Sequence, residues 1–337
     1  MNIVGCNSQY LSPDSLSLYQ FIEKIGRTCY KSEDKITEES AVGFVLDTLL
    51  ARGHLAMLEH AHVFFNVPQE DYVSFIVDWL NVFKDIQGLR YLNMSKEGSV
   101  AYISGSVTAF LNLFKFVLED NISRINAEKN FLYDFVYSMK YLLCQRYRKL
   151  FGSVDTVGKV PMMLLSRVGF IENVKAELSE PARSHVLSTH LPHTLLLTVN
   201  RGVTHEIVRH RVASFAQEST RYVNYVKEKY GSSIVVTEPP FFEPGTEAYD
   251  IWKDACEYAE RAYMKLTKDL KLPAQQARDV LPHSTKADII VTATETEWQH
   301  IINLRYHGTT GAPHPEMREV MCIAYPQLVE ASEGRLK

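Results

Sequence analysis

The sequence predicts a mixed α/β (α+β) fold in which a mixed sheet packs against long helices. Two kinds of apolar pattern alternate along the chain and support this prediction. Short β-rich runs, such as residues 194–199 and 288–293, have the composition of buried strands. Longer stretches, such as residues 246–270, repeat apolar side chains every three or four positions, as amphipathic helices do.

The same two periodicities assign the remaining elements. We expect helices over residues 14–26, 39–53, 70–84, 107–150, 246–270, 297–304 and 316–328, and a short one after Pro273. Further strands are expected over residues 63–67, 89–94, 100–104 and 232–236. Asn200 is a candidate N-cap for a helix that begins at Arg201, because an amide oxygen can accept from a free backbone N–H of the first turn.

Composition narrows the class of protein. The chain has 337 residues, 46% of them hydrophobic and 23% charged, with a formal net charge of −4. This balance disfavours a protein whose main role is to hold a long nucleic acid. Five scattered cysteines without CxxC spacing suggest a reducing compartment. No leader segment and no apolar stretch of about 20 residues is apparent, so we expect a cytoplasmic, soluble protein.

The run Arg209-His210-Arg211 is the most unusual feature of the sequence. On a helix that begins at Arg201, Arg209 would share a face with Arg201, while Val208 could face the core. Adjacent cationic side chains repel each other unless an anion neutralises them. The segment is therefore a candidate anion site.

A second basic pair follows shortly after. Ser219 and Arg221 are two residues apart, so on an extended segment their side chains would point the same way. A guanidinium fork and a neighbouring hydroxyl together suit a phosphate group. Taken alone, Ser219 can equally be a turn or cap residue, and the Arg-His-Arg triplet can be a solvated face.

The spacing of these residues resembles a known family. Arg209-His210-Arg211, seven residues and then Ser219 reproduce the RHRx7S signature of flavin-dependent thymidylate synthases. The resemblance continues at Arg221-Tyr222, Arg27-Thr28-Cys29-Tyr30, Gly53-His54, Leu58-Glu59-His60, Ala277-Arg278, Leu281-Pro282, Trp298, His300, Asn303-Leu304-Arg305, His314-Pro315 and Met317-Arg318. It covers about residues 1–67 and 194–330.

The resemblance implies a domain organisation. Residues 1–68 and 194–337 would form the core of a flavin-dependent thymidylate synthase, and residues 69–193 an inserted, mainly helical subdomain. The insertion would be either an appended lid or an inert structural elaboration, and its sequence does not distinguish the two.

The resemblance also implies roles for individual residues. The FAD contacts carried over are Cys29, His60, Arg209, His210, Arg211 and His300. The dUMP contacts carried over are Arg201, Glu206, Gln217, Ser219, Arg221, Arg278 and Arg305. Arg278 would come from a neighbouring subunit, and Arg305 would be the catalytic residue, a cation beside the uracil ring.

The implied reaction is the methylation of dUMP to dTMP. Methylenetetrahydrofolate would supply the carbon, FAD reduced by NADPH would supply the hydride, and tetrahydrofolate would remain. The implied assembly is a homotetramer with active sites at subunit interfaces, and no metal, nucleic acid or membrane is expected to take part.

Several of these positions are also compatible with purely structural roles. His60 and His300 could be core histidines, and Arg278 and Arg305 could form surface salt bridges. Ala216-Gln217 stands where many family members have Asn-Glu, and Thr294 and Thr296 replace an Asn and an Arg. Two other classes of protein remain as alternatives, a non-catalytic nucleotide- or RNA-binding module and a metal-dependent phosphohydrolase.

Overall fold

The computed structural model describes residues 1–68, 91–120, 131–152, 169–171, 182–228 and 231–337. Its strands are β1 (Asn2–Val4), β2 (Asn7–Tyr10), β3 (His62–Pro68), β4 (Leu92–Glu97), β5 (Val100–Ser106), β6 (Gly169–Ile171), β7 (Pro192–Asn200), β8 (Ser214–Gln217), β9 (Val235–Thr237) and β10 (Lys286–Thr294). Its α-helices are α1 (Leu18–Tyr30), α2 (Ser40–Gly43), α3 (Val107–Phe114), α4 (Phe131–Phe151), α5 (Ala182–His190), α6 (Arg201–Ile207), α7 (Glu247–Met264), α8 (Ala274–Ala277), α9 (Glu295–Arg305) and α10 (Pro315–Ala331). Other helical segments cover Glu33–Lys35, Phe44–Leu50, Leu55–His60, Lys115–Asp120, Lys265–Asp269 and Arg278–Val280.

The chain divides into two compact units. The first unit combines Met1–Ala41 with His193–Lys337, and the second is Val42–Pro192. The second unit therefore begins before the predicted insertion at residue 69. The insertion boundaries mark where the family resemblance stops, which is a different property from compactness, and they stay a prediction.

The first unit is built on a four-stranded sheet in the order β2-β7-β10-β8. Strand β10 is buried along nearly its whole length, as expected of a strand that is covered on both faces. Side chains of β7 and β10 pack with α9 and α10 in a core that includes Leu197, Val291, Trp298 and Met321. A second apolar cluster around Trp252 and Tyr263 joins α7 to the β9 region, and β9 pairs with β1 in parallel.

The second unit contains its own four-stranded sheet. The strand order is β4-β5-β3-β6, and β3 pairs antiparallel with both β5 and β6. Strand β3 alternates partly exposed and buried residues, so one face of it packs on the apolar core. Helix α5 packs on the sheet through Val186 and Leu187. The described part of the predicted insertion thus contains strands as well as helices.

Most of the predicted elements are present. Helix α1 begins at Leu18, four residues later than predicted, because Ser17 caps it and forms a capping box with Gln20. The helix predicted over 39–53 ends at Leu50, and the strand predicted over 232–236 lies at β9. The helix predicted over 70–84 and part of that over 107–150 lie outside the described residues. Among the residues described, no helix is long and apolar enough to cross a membrane.

Candidate functional site

Helix α6 is the element that carries the basic segment. The side chain of Asn200 caps it by accepting a hydrogen bond from the backbone N–H of Val203 at 2.8 Å, as predicted. The helix ends at Ile207, because the N–H groups of Arg209 and His210 bond to carbonyls only three residues back.

The early end of α6 corrects one prediction. The Arg-His-Arg run lies in the turn after the helix, so Arg209 does not share a helix face with Arg201. Val208, predicted to face the core, is 39% exposed. In this turn His210 is buried, whereas Arg209 and Arg211 are exposed.

His210 and Arg305 form the centre of a first cluster. Arg305 donates a hydrogen bond from Nε to His210 Nε2 at 3.2 Å. On the other side of the ring, His210 Nδ1 lies 3.0 Å from the carbonyl oxygen of Ile207. Since a carbonyl oxygen only accepts, Nδ1 carries the proton and Nε2 is the acceptor. Burial lowers the pKa of His210, and the charges of Arg305 and His300 lower it further, so His210 is held neutral.

The guanidinium of Arg305 has a second partner. Its Nη1 lies 3.4 Å from Oε2 of Glu206, in the last turn of α6. The Arg305 side chain is 24% exposed, so it is oriented by two partners and still reaches solvent. The ring of His300 lies 6.2 Å from that of His210. His300 is exposed, which rules out the alternative of a core histidine.

A second cluster surrounds Arg201. Its Nη2 donates to the carbonyl oxygen of Glu218 at 3.0 Å. Burial lowers the pKa of Arg201, the charges of Tyr225 and Glu218 raise it, and the charge of Arg278 lowers it. Gln217, the residue before Glu218, donates from Nε2 to the hydroxyl of Thr204 at 2.9 Å. Arg201, the first residue of α6, and Gln217 are thus both oriented beside this helix.

Ser219 and Arg221 lie in a turn and not on an extended segment, which corrects the prediction that their side chains point the same way. The Ser219 carbonyl accepts from the N–H groups of Tyr222 and Val223, both at 3.0 Å. Its hydroxyl lies 3.4 Å from the Arg221 N–H, as expected of a turn residue. The Arg221 guanidinium is exposed and lies 5.7 Å from the centre of the Tyr222 ring.

Four arginines of the site have no acidic partner among the residues that the structure describes. Within the part of the chain that the structure describes, none of Arg209, Arg211, Arg221 and Arg278 takes part in an ion pair, and all four are exposed. The alternative of a surface salt bridge for Arg278 therefore finds no support. Arg305 does form an ion pair with Glu206, as the salt-bridge alternative expected, and it also bonds to His210. Exposed guanidinium groups without carboxylates suit anionic ligands.

Two predicted flavin contacts, Cys29 and His60, are buried side chains. Cys29 is buried in α1, and burial raises the pKa of its thiol to about 12, so the thiol is protonated near neutral pH. His60 is buried in the Val42–Pro192 unit with 1% of its surface exposed, as a core histidine would be. The flavin contacts of both residues stay predictions.

A buried charge network beside the second cluster was not predicted. Lys286 lies 3.0 Å from Glu218 and 2.7 Å from Asp288, and Lys31 also pairs with Asp288. The Asp288 N–H and the Lys286 ammonium both bond to Glu218 Oε2, which anchors the residue before Ser219. The alternation of Lys286 and Asp288 on one strand was the only sequence signal for it.

The structure also locates the positions at which the sequence departs from the family pattern. Ala216 is buried in β8 opposite Ile290 of β10. Thr294 ends β10 and stands at the N-cap of α9 without a side-chain capping bond, and Thr296 follows in the first turn. Among the described residues, no group of three or more His, Cys, Asp or Glu could hold a metal ion.

Comparisons with known proteins show which family the chain resembles. Residues 174–332 match the family described as thymidylate synthase complementing protein. The flavin-dependent thymidylate synthase of Mycolicibacterium vanbaalenii is 31% identical over 148 residues, which cover 40% of this chain and 56% of that relative. The flavin-dependent thymidylate synthase of Pyrococcus abyssi is 32% identical over 106 residues, which cover 32% of this chain and 42% of the relative.

The matched region is limited in extent. The chain spans about half the length of these curated relatives. A UMP/dUMP methylase, PolB from Streptomyces cacaoi bound with 5-Br dUMP, shares 22% identity at a TM-score of 0.35, over 42% of this chain and 70% of that one. The Arg-His-Arg turn, the turn at Ser219 and Arg305 all lie inside the family match. Residues 174–332, slightly less than half of this chain, are thus similar to a family whose matched relatives are flavin-dependent thymidylate synthases.

Proposed function

We propose that this chain is a flavin-dependent thymidylate synthase that methylates dUMP to dTMP. Methylenetetrahydrofolate is the carbon donor, and FAD reduced by NADPH is the hydride donor. The observation that carries the proposal is the placement of Arg305 between neutral His210 and Glu206, within a family match that also contains arginines without acidic partners.

The nucleotide phosphate is assigned to the Ser219 turn. Arg221 and Arg278 offer exposed guanidinium groups that have no carboxylate partner within the described ranges, and Ser219 offers a hydroxyl in the same turn as Arg221. Arg201 is oriented by the Glu218 carbonyl, and Gln217 by Thr204. These fixed donors would bind the dUMP phosphate and sugar with little loss of side-chain freedom.

The residues of the Arg-His-Arg turn fit an anionic cofactor. Arg209 and Arg211 are exposed and have no acidic partner among the described residues, which suits the pyrophosphate of FAD, and the exposed ring of His300 offers a planar surface on which a flavin would lie. When bound, FAD supplies the hydride that completes the methyl group. The protein contributes orientation and positive charge.

Arg305 polarises the pyrimidine in this proposal. Its guanidinium is held from two sides, so it would stabilise negative charge that develops on the ring without having to reorganise. A cysteine nucleophile is not needed for this step. Cys29, the cysteine that the resemblance places near the flavin, carries a protonated thiol because burial raises its pKa to about 12.

The proposed oligomeric state and cellular location rest on the family resemblance. We propose a cytoplasmic homotetramer whose active sites combine residues of several subunits, with Arg278 supplied by a neighbour. Residues 69–193 are proposed as an insertion into the family core. Residues 1–68 are proposed as part of that core, although the family match begins at residue 174.

An anaerobic assay tests the proposal. Purified protein loaded with FAD is mixed with NADPH, with and without dUMP, and then with methylenetetrahydrofolate. Loss of the oxidised flavin spectrum followed by dTMP supports the proposal. Arg305→Ala is expected to abolish dTMP formation while flavin stays bound, and Arg261→Ala, an exposed change on α7, is the matched control. Nucleotide binding without flavin uptake or dTMP would favour the non-catalytic binding module instead.

A further inference from the structure

A cavity of about 230 Å³ beside α6 and its cap is not explained by the proposed reaction. It lies wholly within the unit that contains His193–Lys337. Apart from Glu206, none of the residues that line it is a predicted nucleotide or flavin contact. Its walls combine aromatic rings with carboxylates.

The polar wall contains a carboxylate that is only half satisfied. Glu316 lies in the first turn of α10 and is 3% exposed. Asn200 donates a hydrogen bond to Glu316 Oε2, whereas Glu316 Oε1 has no partner among the described residues. A buried carboxylate oxygen without a partner costs free energy comparable to that of a lost hydrogen bond or more. The site therefore favours a ligand that can donate.

The charge around Glu316 favours a cationic ligand. The described residues that line the cavity include neither lysine nor arginine, and Glu206 adds a second carboxylate. The titratable bases in the lining are the rings of His283 and His314, and Nδ1 of His314 lies 3.7 Å from Glu316 Oε2. Burial raises the pKa of Glu316. The hydrogen bond from Asn200 and the charge of His314 lower it, and the charges of Glu319 and Glu206 raise it. A bound cation would relieve this repulsion.

The aromatic wall suits the same kind of ligand. The rings of Phe241 and Phe242 lie 4.7 Å apart in an edge-to-face arrangement, and that of Phe241 lies 5.8 Å from His314. Phe241 is 48% exposed, so its ring is accessible to a ligand. The negative face of an aromatic ring attracts cations, most strongly when these are desolvated.

The shape of the site favours an organic, planar cation. A metal ion would need at least three suitable ligands, and among the described residues no such group exists. A planar fork of N–H donors can bond to a carboxylate through two parallel hydrogen bonds while its face stacks on a ring. We propose that this cavity binds a small amidinium or guanidinium compound, with Glu316 as its counter-ion and Phe241 as its aromatic wall.

The test compares two ligands of the same shape. Benzamidine is titrated into the purified full-length protein by calorimetry, and benzamide, which is neutral and nearly isosteric, is the control. Benzamidine is expected to bind saturably, at least tenfold more tightly than benzamide. Equal binding of the two, or no saturable binding of benzamidine, overturns the proposal.

Two pairs of variants locate the site. Glu316→Gln is expected to weaken benzamidine binding at least tenfold, and Glu330→Gln, an exposed change on the same helix but outside the cavity lining, to leave it unchanged. Because Glu316 is buried, a second pair uses exposed positions that tolerate substitution: Phe241→Ala should weaken binding, and Tyr258→Ala on α7 should not. Retained binding in both Glu316→Gln and Phe241→Ala contradicts the proposal. No flavin, folate or dUMP enters this assay, so its outcome is independent of the proposed reaction.

Discussion

Arg305 donates a hydrogen bond from Nε to Nε2 of His210 at 3.2 Å, although 95 residues separate the two. This contact and the Ile207 carbonyl together hold the imidazole in its neutral Nδ1–H form. Neutral His210 therefore orients a permanent cation without competing with it for an anion. The position of the Arg305 guanidinium rests on this pair and on Glu206.

Arg305→Lys is expected to lower dTMP formation by about 100-fold while leaving the flavin bound. Lysine keeps the positive charge but has no fixed fork, so it cannot bond to His210 and Glu206 and face the pyrimidine at once. Single-turnover formation of dTMP measures the effect, with Arg261→Lys as the control. Unchanged turnover in Arg305→Lys would show that charge alone suffices and that the two contacts have no role.

Arg221→Gln is expected to weaken dUMP binding by about 10- to 100-fold and to reduce its dependence on salt. The guanidinium is exposed and has no acidic partner in the described part of the chain, so the substitution removes a cation without leaving a buried carboxylate. Ser219→Ala should have a smaller effect, because its hydroxyl is a neutral donor. Equilibrium dialysis at two salt concentrations measures both changes. Lys253→Gln on α7 controls for net charge, and an equal loss in that variant would argue against a phosphate site at Arg221.

The Val42–Pro192 unit is expected to lose stability in mild acid because of His190. Burial lowers the pKa of His190 to about 3, and its ring bonds to the hydroxyls of Ser95 and Ser104. Below pH 6.5 His190 binds a proton in the unfolded chain but stays neutral in the folded unit until the pH approaches about 3. The contribution of neutral His190 to the free energy of unfolding is thus fully present above pH 6.5. It is lost as the pH falls below 6.5, by about 1.4 kcal/mol per pH unit for one proton.

Urea unfolding at pH 7 and pH 5 tests this dependence. Burial lowers the pKa of His62 in the same unit to about 4, so both histidines contribute to the slope. His190→Gln cannot titrate and should reduce the slope by about one proton, even if the variant is less stable at every pH. A slope equal to that of the wild-type chain would mean that His190 is already protonated in the folded unit.

Thiol reactivity is expected to divide the cysteines by burial. Cys322 is exposed, whereas burial raises the pKa values of Cys6 and Cys29 to about 12. Only a thiolate reacts readily, so Cys322 should be modified fastest in the native protein at neutral pH. Peptide mapping after brief treatment with iodoacetamide measures this order, and Cys322→Ser should remove the fast phase. Early modification of Cys29 would contradict the protonated, buried thiol.

Asp288→Asn is expected to destabilise the His193–Lys337 unit by about 2–4 kcal/mol, since it leaves Lys31 and Lys286 with less compensating charge in a mostly buried site. The free energy of unfolding in urea measures the loss. Adding Lys286→Gln should restore part of it, because the number of uncompensated cations falls. If the double variant is less stable by the sum of the two single effects, the residues do not form one network.

The secondary structure could be predicted because it depends on local patterns. The β-rich composition of β7, the amide of Asn200 and the apolar spacing of α7 act over a few residues. The family signature could also be read directly, since Arg209, His210 and Ser219 lie within one short segment. These features together predicted a mixed α/β fold and a candidate anion site.

Only the tertiary structure decided which of these residues meet. The register of β8 against β10 places Ala216 opposite Ile290, and beyond it the N–H of Glu218 bonds to the carbonyl of Asp288. Burial of α9 and α10 on the same sheet brings Arg305 to His210 and Glu316 to Asn200. Such pairings depend on strand register and helix packing between distant segments, which a local pattern does not specify. The sequence thus determined the kinds of groups available to the site, and the fold determined their partners, their protonation and the cavity at Glu316.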